Sequence, residues 1–283
     1  MLVQRVRSHS EQTSTNTNRM RILILGDVMG RPARRAAREL VPSLVKDEKI
    51  DLAIANAENA AGGMGVDIKS AGELFSAGLH VLTSGNHIWK KKEIYPYLEQ
   101  QTLLLRPANY PHGAPGRGWC EWQNQMGLKA LIINLQGRVF MPHHVDDPFR
   151  CVDAILKEHG QHSPVVIVDM HAETTSEKNA IGWYLDGRVS VVCGTHTHIQ
   201  TADERIFPRG TAYITDLGMC GPFDSVIGIE KEIVITGFMS QLPRRFEVAK
   251  DNVVLQGVIV DVDEQSGKAK EIRRLRVPWE AAH

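Results

Sequence analysis

The stretch VVCGTHTH, residues 191–198, shows the pattern that decides the fold of this chain. An apolar run typical of a buried strand ends at Gly194 and is soon followed by His196 and His198. In an extended segment alternate side chains point to the same side, so both imidazoles can face one point in space. Imidazole is the commonest metal-binding side chain, and α/β sheets bind ligands where their strands end. The stretch therefore predicts a strand that carries metal ligands at its carboxyl end.

The same pattern, an apolar run followed by polar residues, recurs along the chain from Met20 onward. Amphipathic helical segments separate the runs, and the first covers residues 34–40. Near the C terminus, the runs at 253–262 and 272–277 predict an antiparallel hairpin. Strand–helix alternation followed by antiparallel strands indicates an α/β domain with mixed sheets and helices outside. The other predicted strands are residues 21–25, 51–55, 80–84, 131–135, 165–168 and 212–215.

The chain of 283 residues shows neither a repeat of fixed period nor a linker between two domains. Residues 20–283 are therefore predicted to form a single domain. Residues 1–19 are polar, rich in Ser, Thr, Asn and Gln, and lack the apolar core of a signal peptide. They are predicted to be a disordered extension without a catalytic role.

The composition favours a soluble globular enzyme over a nucleic-acid-binding or membrane protein. Hydrophobic residues make up 42% of the chain and charged residues 23%. Lys plus Arg and Asp plus Glu both total 33, which argues against an extensive nucleic-acid or membrane surface. No apolar stretch reaches the roughly 20 residues that span a bilayer. The four cysteines form no C-x-x-C pair, which favours a reducing cytoplasm.

Side chains that can bind a metal follow most of the predicted strands, and such positions converge on one crevice in an α/β sheet. Taken singly, each has a structural interpretation: Asp27 or Asn59 could cap a helix, and His171 could be an ordinary loop residue. It is much less probable that polar residues follow so many strands by coincidence, and a common site is therefore predicted. The collected residues are Asp27, Glu58, Asn59, Asn86, His87, His171, His196 and His198.

The donor types limit the metal. Carboxylates, amide oxygens and imidazoles without sulfur suit Mn, Fe or Zn better than Mg or Ca. The donors are too many for one tetrahedral zinc and suit two adjacent ions that share a bridge, for which Glu58 has two oxygens. If both ions are divalent, roughly one unit of positive charge remains after Asp27, Glu58 and a bridging hydroxide are counted. Such a centre attracts an anionic phosphate ester.

Seven motifs carry a family resemblance: ILGDVMG (24–30), NAENAAGG (56–63), GNH (85–87), DMHAETTSEK (169–178), GTHTH (194–198), TDLGM (215–219) and DSVIG (224–228). From Met20 to about Pro278 the chain resembles the calcineurin-like metallophosphoesterases, and within them the YmdB-like branch. The wider superfamily has Asp-x-His where this chain has 27–29 Asp-Val-Met, and a bridging Asp where it has Glu58. Both departures agree with the YmdB-like branch and argue against a substrate from the protein-phosphatase branch.

The resemblance implies a four-layer α/β/β/α sandwich and two metal ions per chain, with Fe or Mn preferred and Zn possible. It assigns one ion to Asp27, Glu58, Asn59 and His198. It assigns the other to Glu58, Asn86, His171 and His196. Family members are cytoplasmic phosphodiesterases of cyclic nucleotides, with 2′,3′-cyclic forms the leading class, and are often oligomeric. A small phosphodiester substrate, a homo-oligomer and no membrane partner are expected.

The expected reaction is in-line hydrolysis by a metal-bridged hydroxide, with His87 as the general acid for the leaving alkoxide. A purely structural role for His87 is the alternative. His143 and His144 are expected to be solvated loop residues rather than substrate contacts. Residues 174–178 are expected to order the loop after His171 or to line the pocket.

Three functional classes stay open: a cyclic-nucleotide phosphodiesterase, a phosphomonoesterase or protein phosphatase on the same centre, and a regulatory binder that acts through RNA-related partners. The complete ligand set favours an enzyme over a pure binder.

Overall fold

The structure, a computed structural model, describes residues 18–280. Residues 1–17 of the predicted extension lie outside the described residues, and the first strand begins at Arg19, one residue before the predicted domain start. The elements are, in chain order, β1 (Arg19–Val28), α1 (Gly30–Asp47), β2 (Leu52–Asn56), α2 (Ile68–Ser76), β3 (Val81–Thr83), a 3-10 helix (Ile88–Lys90), α3 (Ile94–Gln100), β4 (Trp119–Gln123), β5 (Lys129–Gln136), α4 (Pro148–His159), β6 (Val165–His171), α5 (Thr175–Leu185), β7 (Val191–Thr195), β8 (Arg205–Ile206), β9 (Ala212–Ile214), β10 (Met219–Pro222), α6 (Lys231–Ser240), β11 (Val253–Asp263) and β12 (Ala269–Pro278).

Two six-stranded mixed sheets form the centre of the molecule. The first has the order β12-β11-β10-β1-β2-β3, and the second has the order β4-β5-β6-β7-β9-β8. Strands β1, β2, β3 and β10 run parallel in the first sheet, as do β5, β6, β7 and β9 in the second. The predicted C-terminal hairpin is the antiparallel pair β11 and β12.

Three apolar clusters separate four layers. Along β1, Leu23 and Leu25 pack with residues of α1 and α2, whereas Ile22 and Ile24 pack with residues of the second sheet. Strand β5 divides in the same way: Ile132 faces the first sheet, and its neighbours on the other face pack with α4 and α5. Because side chains alternate across a strand, each central strand is apolar on both faces. The expected α/β/β/α sandwich is confirmed.

Three strands were missing from the prediction. Strand β4 follows a segment rich in Pro and Gly and occupies a sheet edge, and β8 has only two residues. Strand β10 contains Gly221 and Pro222, residues that usually mark a turn, but it is held between β1 and β11. Tertiary pairing overrides the local signal in these segments.

None of the helices between residues 18 and 280 is both long and apolar enough to cross a membrane.

Candidate metal centre

The predicted ligands lie where strands of both sheets end. Asp27 is near the end of β1, and His171 is the last residue of β6. The remaining ligands follow β2, β3 and β7. Most are buried, with exposed fractions of 0% for Asp27 and His171 and 1% for Glu58. Since both sheets contribute, the site lies at one edge of the interface between them.

Two glycines make room for the cluster. The pairing of β1 with β2 shifts register between Leu25 and Asp27, and a Cβ on Gly26 would overlap the carbonyl of Gly218. Such an irregularity re-aims the side chain that follows it. A Cβ on Gly85 would overlap the imidazole of His171 and lie 2.5 Å from Glu58 Oε2. Both positions are closed to any larger residue, because backbone or ligand atoms already fill the space.

His171 Nε2 is surrounded by three further donor atoms. It lies 3.2 Å from Glu58 Oε1, 3.1 Å from Asn86 Oδ1 and 3.1 Å from His196 Nδ1. Ligands of a tetrahedral ion with bonds of about 2.0–2.1 Å are separated by about 3.3 Å. The spacing therefore fits four donors around one cation.

A second group contains Asp27, Asn59 and His198. His198 Nε2 lies 3.3 Å from Asn59 Oδ1 and 4.0 Å from Asp27 Oδ1. Asp27 Oδ1 is buried and has no hydrogen-bond partner among the described residues, whereas Oδ2 accepts the amide N–H of His196. Burial raises the pKa of Asp27 to about 6. A buried, unpaired carboxylate oxygen is costly unless a cation compensates it, and so this donor set fits a metal.

In the group around His171 Nε2, the charges of Glu58 and His171 are complementary. Burial opposes both charges, but their mutual attraction lowers the pKa of Glu58 to about 2 and raises that of His171 to about 9. Burial, reinforced by the positive His171, lowers the pKa of His196 to about 3. His196 is therefore neutral, as an imidazole that binds a metal must be.

Each histidine is oriented by its second ring nitrogen. His198 Nδ1 donates to the carbonyl of Ile227 at 2.9 Å, and His196 Nε2 lies 2.9 Å from Glu173 Oε2. Carboxylate and carbonyl partners of this kind fix the tautomer and turn the other nitrogen toward the metal. Neither Glu173 nor Ile227 was predicted from the sequence to have such a role.

His171 is held by a buried polar network that was also missed from the sequence. Its Nδ1 donates to Thr195 Oγ1 at 2.9 Å, and Thr195 Oγ1 donates to Asp169 Oδ1 at 2.8 Å. Asp169 also accepts from Thr83 Oγ1 and from Asn56 Nδ2. The signal available in the sequence was spacing, since Asp169 and His171 lie two apart in one strand and share a face.

The backbone at His196 and His198 differs from the extended geometry that was predicted. Strand β7 ends at Thr195, and the two histidines have φ of 103° and 65°. Residues other than glycine rarely adopt this region, which costs about 1–3 kcal/mol per residue. Asp216 Oδ2 accepts from the Thr197 amide at 3.2 Å and from its hydroxyl at 2.8 Å. The two imidazoles converge because the turn held by Asp216 directs them, and not because they alternate along an extended strand.

His87 lies beside the ligands without joining either group. Its Nδ1 is 3.5 Å from Glu58 Oε1 and 3.3 Å from Asn59 Nδ2, and its side chain is 23% exposed. Asn59 Oδ1 faces His198, and Nδ2 donates to the carbonyl of Gly63. Nδ2 is thus the atom that faces His87 Nδ1, an arrangement that places the His87 proton on Nε2. His87 therefore contacts the buried donors and is also partly exposed to solvent.

Among the described residues, the other predicted residues form no hydrogen bond or ion pair with a proposed metal ligand. His144 is exposed, and the ring of His143 is 6.3 Å from that of Tyr110. In the segment 174–178, Glu177 accepts the amide N–H of Arg138 and Lys178 pairs with Asp216. These contacts agree with the expected role of the segment in ordering the loops around the site.

Comparisons with known proteins show the family of the chain. The family model described as YmdB-like protein matches residues 23–275. A Bacillus subtilis (strain 168) protein described as 2′,3′-cyclic-nucleotide 2′-phosphodiesterase is 47% identical over 258 residues, which cover 91% of this chain and 97% of that protein. A Mycoplasma pneumoniae protein described as a putative phosphatase/phosphodiesterase is 37% identical over 266 residues, which cover 92% and 94%.

Two solved structures share the fold over nearly their whole length. A structure described as a novel phosphatase from Mycoplasma pneumoniae superposes with a TM-score of 0.86 at 37% identity, covering 92% of this chain and 94% of that one. A hypothetical protein from Thermus thermophilus gives a TM-score of 0.84 at 39% identity, with 92% and 99% covered.

Proposed function

Because the chain belongs to the YmdB-like protein family, we propose that this metal-dependent phosphoric diester hydrolase acts on cyclic nucleotides, with 2′,3′-cyclic forms preferred. The observation that carries the proposal is the convergence of carboxylate, amide and imidazole donors around His171 Nε2 and beside the unpaired Asp27 Oδ1. The name of the 47% identical relative supports the substrate class.

For the metals, we propose two ions per chain. Asp27, Glu58, Asn59 and His198 would hold one ion, and Glu58, Asn86, His171 and His196 would hold the other. The donor spacings of 3.1–3.2 Å around His171 Nε2, and of 3.3 and 4.0 Å from His198 Nε2 to Asn59 Oδ1 and Asp27 Oδ1, support this division. A donor set without sulfur suits Fe or Mn best, and Zn remains compatible.

The chemistry that such a metal pair supplies is activation of water and neutralisation of phosphate charge. The residues of the chain prepare the site for it. Burial of Asp27 and Glu58 keeps competing water away from the donors, and the network behind His171 holds its ring in one orientation. The held turn at Thr197 keeps the directions of the two flanking histidines fixed. A site organised in this way needs little rearrangement when a substrate arrives.

His87 is proposed to protonate the leaving alkoxide. Opening a cyclic phosphodiester releases a ribose oxygen with a high pKa, which leaves readily only as the alcohol. The step requires the imidazolium form of His87, whose Nδ1 proton would face Glu58 Oε1 at 3.5 Å and whose Nε2 proton is available on the opposite side of this partly exposed ring. Asn86 and His87 would thus have separate tasks, the first as a ligand and the second as a proton donor.

A phosphomonoesterase activity on the same centre is the second candidate. It is favoured by the names of the Mycoplasma pneumoniae relatives, which include phosphatase. A regulatory binder is less well supported, because the sequence carries every donor that the resemblance implies. Residues 20–283 are proposed to act as a single domain, in a cytoplasmic homo-oligomer.

Metal analysis coupled to a substrate panel tests the function. Purified protein, loaded separately with Mn²⁺, Fe²⁺ and Zn²⁺, would be assayed with 2′,3′- and 3′,5′-cyclic nucleotides and with nucleoside monophosphates. We expect two ions per chain in the Mn²⁺-loaded protein and the highest kcat/KM on 2′,3′-cyclic substrates. Asp27→Asn protein processed in parallel controls for contaminating phosphatases. Higher kcat/KM on the monoesters would transfer the proposal to the second candidate, and binding of fewer than two ions would overturn the dinuclear site.

A further inference from the structure

A separate cluster of side chains that can bind a metal lies on the protein surface, at the end of the second sheet opposite the buried centre. It consists of Glu121 in β4 and of His159 and His162 at the end of α4. Glu121 pairs with Leu131 near the start of β5, whereas the buried centre lies beyond the carboxyl ends of β6 and β7. The surface group therefore has no part in the proposed hydrolysis.

The three side chains are spaced like ligands of one ion. Glu121 Oε1 lies 3.0 Å from His162 Nδ1 and 3.5 Å from His159 Nδ1. These values lie on either side of the separation of about 3.3 Å expected for donors on a tetrahedral ion. They also resemble the 3.1–3.3 Å spacings in the buried centre. Both imidazoles present the same nitrogen to the same carboxylate oxygen.

Local structure holds the histidines in place. Helix α4 ends at His159, and the His162 amide donates to the His159 carbonyl at 3.0 Å, which closes a turn between them. The His159 ring stacks on Trp119, with centroids 3.8 Å apart and planes inclined by 32°. Trp119 and Glu121 are two apart in β4, so they lie on the same face of the strand. The strand thus supplies both a ligand and the platform that orients another ligand.

The electrostatic setting favours a cation. The C-terminal end of a helix carries a partial negative charge, and α4 is twelve residues long. The Glu158 carboxylate lies 3.6 Å from His159 Nε2, the nitrogen that faces away from Glu121. His162 and Glu121 are half-exposed, so an ion can enter from solvent and keep water as its remaining ligand.

We propose that Glu121, His159 and His162 bind a divalent cation of the Zn²⁺ type, separate from the hydrolytic centre. Two imidazoles, one carboxylate and an open position form a common zinc donor set. The bound ion would tie β4 to the end of α4. Because β4 is an edge strand that pairs with β5 alone among the described strands, this link would add a second restraint on it.

Zinc content measured by equilibrium dialysis tests the proposal. Full-length protein with its buried centre loaded with Mn²⁺ would be dialysed against buffered Zn²⁺, and bound metals counted by mass spectrometry. The variants are Glu121→Gln and His162→Gln, and His144→Gln is the matched control on an exposed loop. Exchange at the buried centre is common to all proteins and cancels in the comparison. We expect wild type and control to bind one more Zn²⁺ ion than either variant, with phosphodiesterase activity equal in all four.

Thermal unfolding provides an independent measurement. A ligand that binds only the folded state stabilises it by RT ln(1 + L/Kd), where L is the free ligand concentration, and so raises Tm. We expect Zn²⁺ to raise Tm of wild type and of the His144→Gln control by more than Tm of Glu121→Gln. If Glu121 and His162 form only an ion pair, Glu121→Gln would instead lower Tm relative to wild type by the same amount with and without Zn²⁺. That result, together with equal zinc content in all four proteins, would overturn the proposal. Loss of activity in every metal-loaded protein, with the zinc difference retained, would count against the hydrolytic function alone.

Discussion

Lys178 and Asp216 form a buried ion pair directly behind the loop that carries His196 and His198. Lys178 Nζ donates to Asp216 Oδ2 at 2.6 Å, and each side chain is 1% exposed. The same carboxylate oxygen accepts both hydrogen bonds from Thr197, the residue between the two histidines. The conformation of the metal-binding loop therefore depends on a charge pair that contacts no ligand donor.

Replacement of Lys178 by methionine is expected to destabilise the protein by about 3–5 kcal/mol, because Asp216 is left as an unpaired buried charge. Urea unfolding of the metal-free protein measures this change. Lys157→Met, on the exposed face of α4, is the matched control and should change stability by less than about 0.5 kcal/mol. Equal unfolding midpoints for the two variants would show that the pair does not support the loop.

Asp27→Asn is expected to remove one metal ion and yet to stabilise the metal-free protein at neutral pH. The folded-state pKa of Asp27, about 6, lies above its ordinary value of 3.8, so ionisation of this group opposes folding. The loss of wild-type folding stability caused by ionisation of Asp27 should grow from pH 4 to pH 6 and reach about 1–3 kcal/mol above that range.

Unfolding of metal-free wild type and Asp27→Asn at pH 4 and at pH 7.5 checks this. The two proteins should be close in stability at the lower pH and differ at the higher one. A variant that is less stable than wild type at pH 7.5 would contradict the view that Asp27 is paired only by a metal.

His87→Ala is expected to slow hydrolysis of 2′,3′-cyclic nucleotides by about 10²–10⁴ and to leave the metal content unchanged. An aryl phosphodiester, whose phenolate leaves without a proton, should be affected much less. The ratio of kcat on the two substrates is the measurement, and His144→Ala is a control for removal of an exposed histidine. Equal losses on both substrates would assign His87 a structural role.

Gly85→Ala is expected to abolish metal binding at the buried centre, because the added Cβ overlaps the His171 ring and crowds Glu58. Gly72 provides the control: it lies in α2, and an added Cβ there meets no atom within 4 Å. Gly72→Ala should bind metal normally and gain about 0.5–1 kcal/mol of stability from helix propensity. Metal analysis and unfolding of both variants separate crowding of the site from a general effect of alanine. Normal metal content in Gly85→Ala would show that the ligands can shift.

The thiols are expected to be inert in the folded protein. Burial raises the pKa of Cys120 and of Cys220 to about 12 and that of Cys151 to about 11, and it raises that of Cys193 as well. Since only the thiolate reacts, a disulfide reagent at pH 8 should label native protein slowly and urea-unfolded protein fast. Rapid labelling of a native cysteine would indicate local opening around it.

Much of the architecture could be predicted because its signals are local. An apolar run such as 165–168 predicts a buried strand, and the hairpin of β11 and β12 follows from alternation around a turn. Strand β10, with Gly221 and Pro222, could not be found in this way, since its strand conformation comes from pairing with β1 and β11.

The candidate ligands could be named for the same reason, but the residue pattern alone did not group them, and their division between two ions came only from the family resemblance. Nothing near Asp27 in the chain indicates that one of its carboxylate oxygens is buried without a partner. The positive φ at His196 and His198 was also missed, because the turn depends on Asp216, eighteen residues beyond the second histidine.

By itself the sequence determined the strand and helix alternation and the chemical identity of the donors, since both depend on side chains close together in the chain. The tertiary structure decided which donors lie within 3.1–3.3 Å of one another, which nitrogen each histidine presents and how the turn at Thr197 is held. These features arise where two sheets, formed by segments far apart in sequence, pack face to face and bring Asp27 to the amide of His196. Distances of that kind are set by packing across the interface, and no local pattern encodes them.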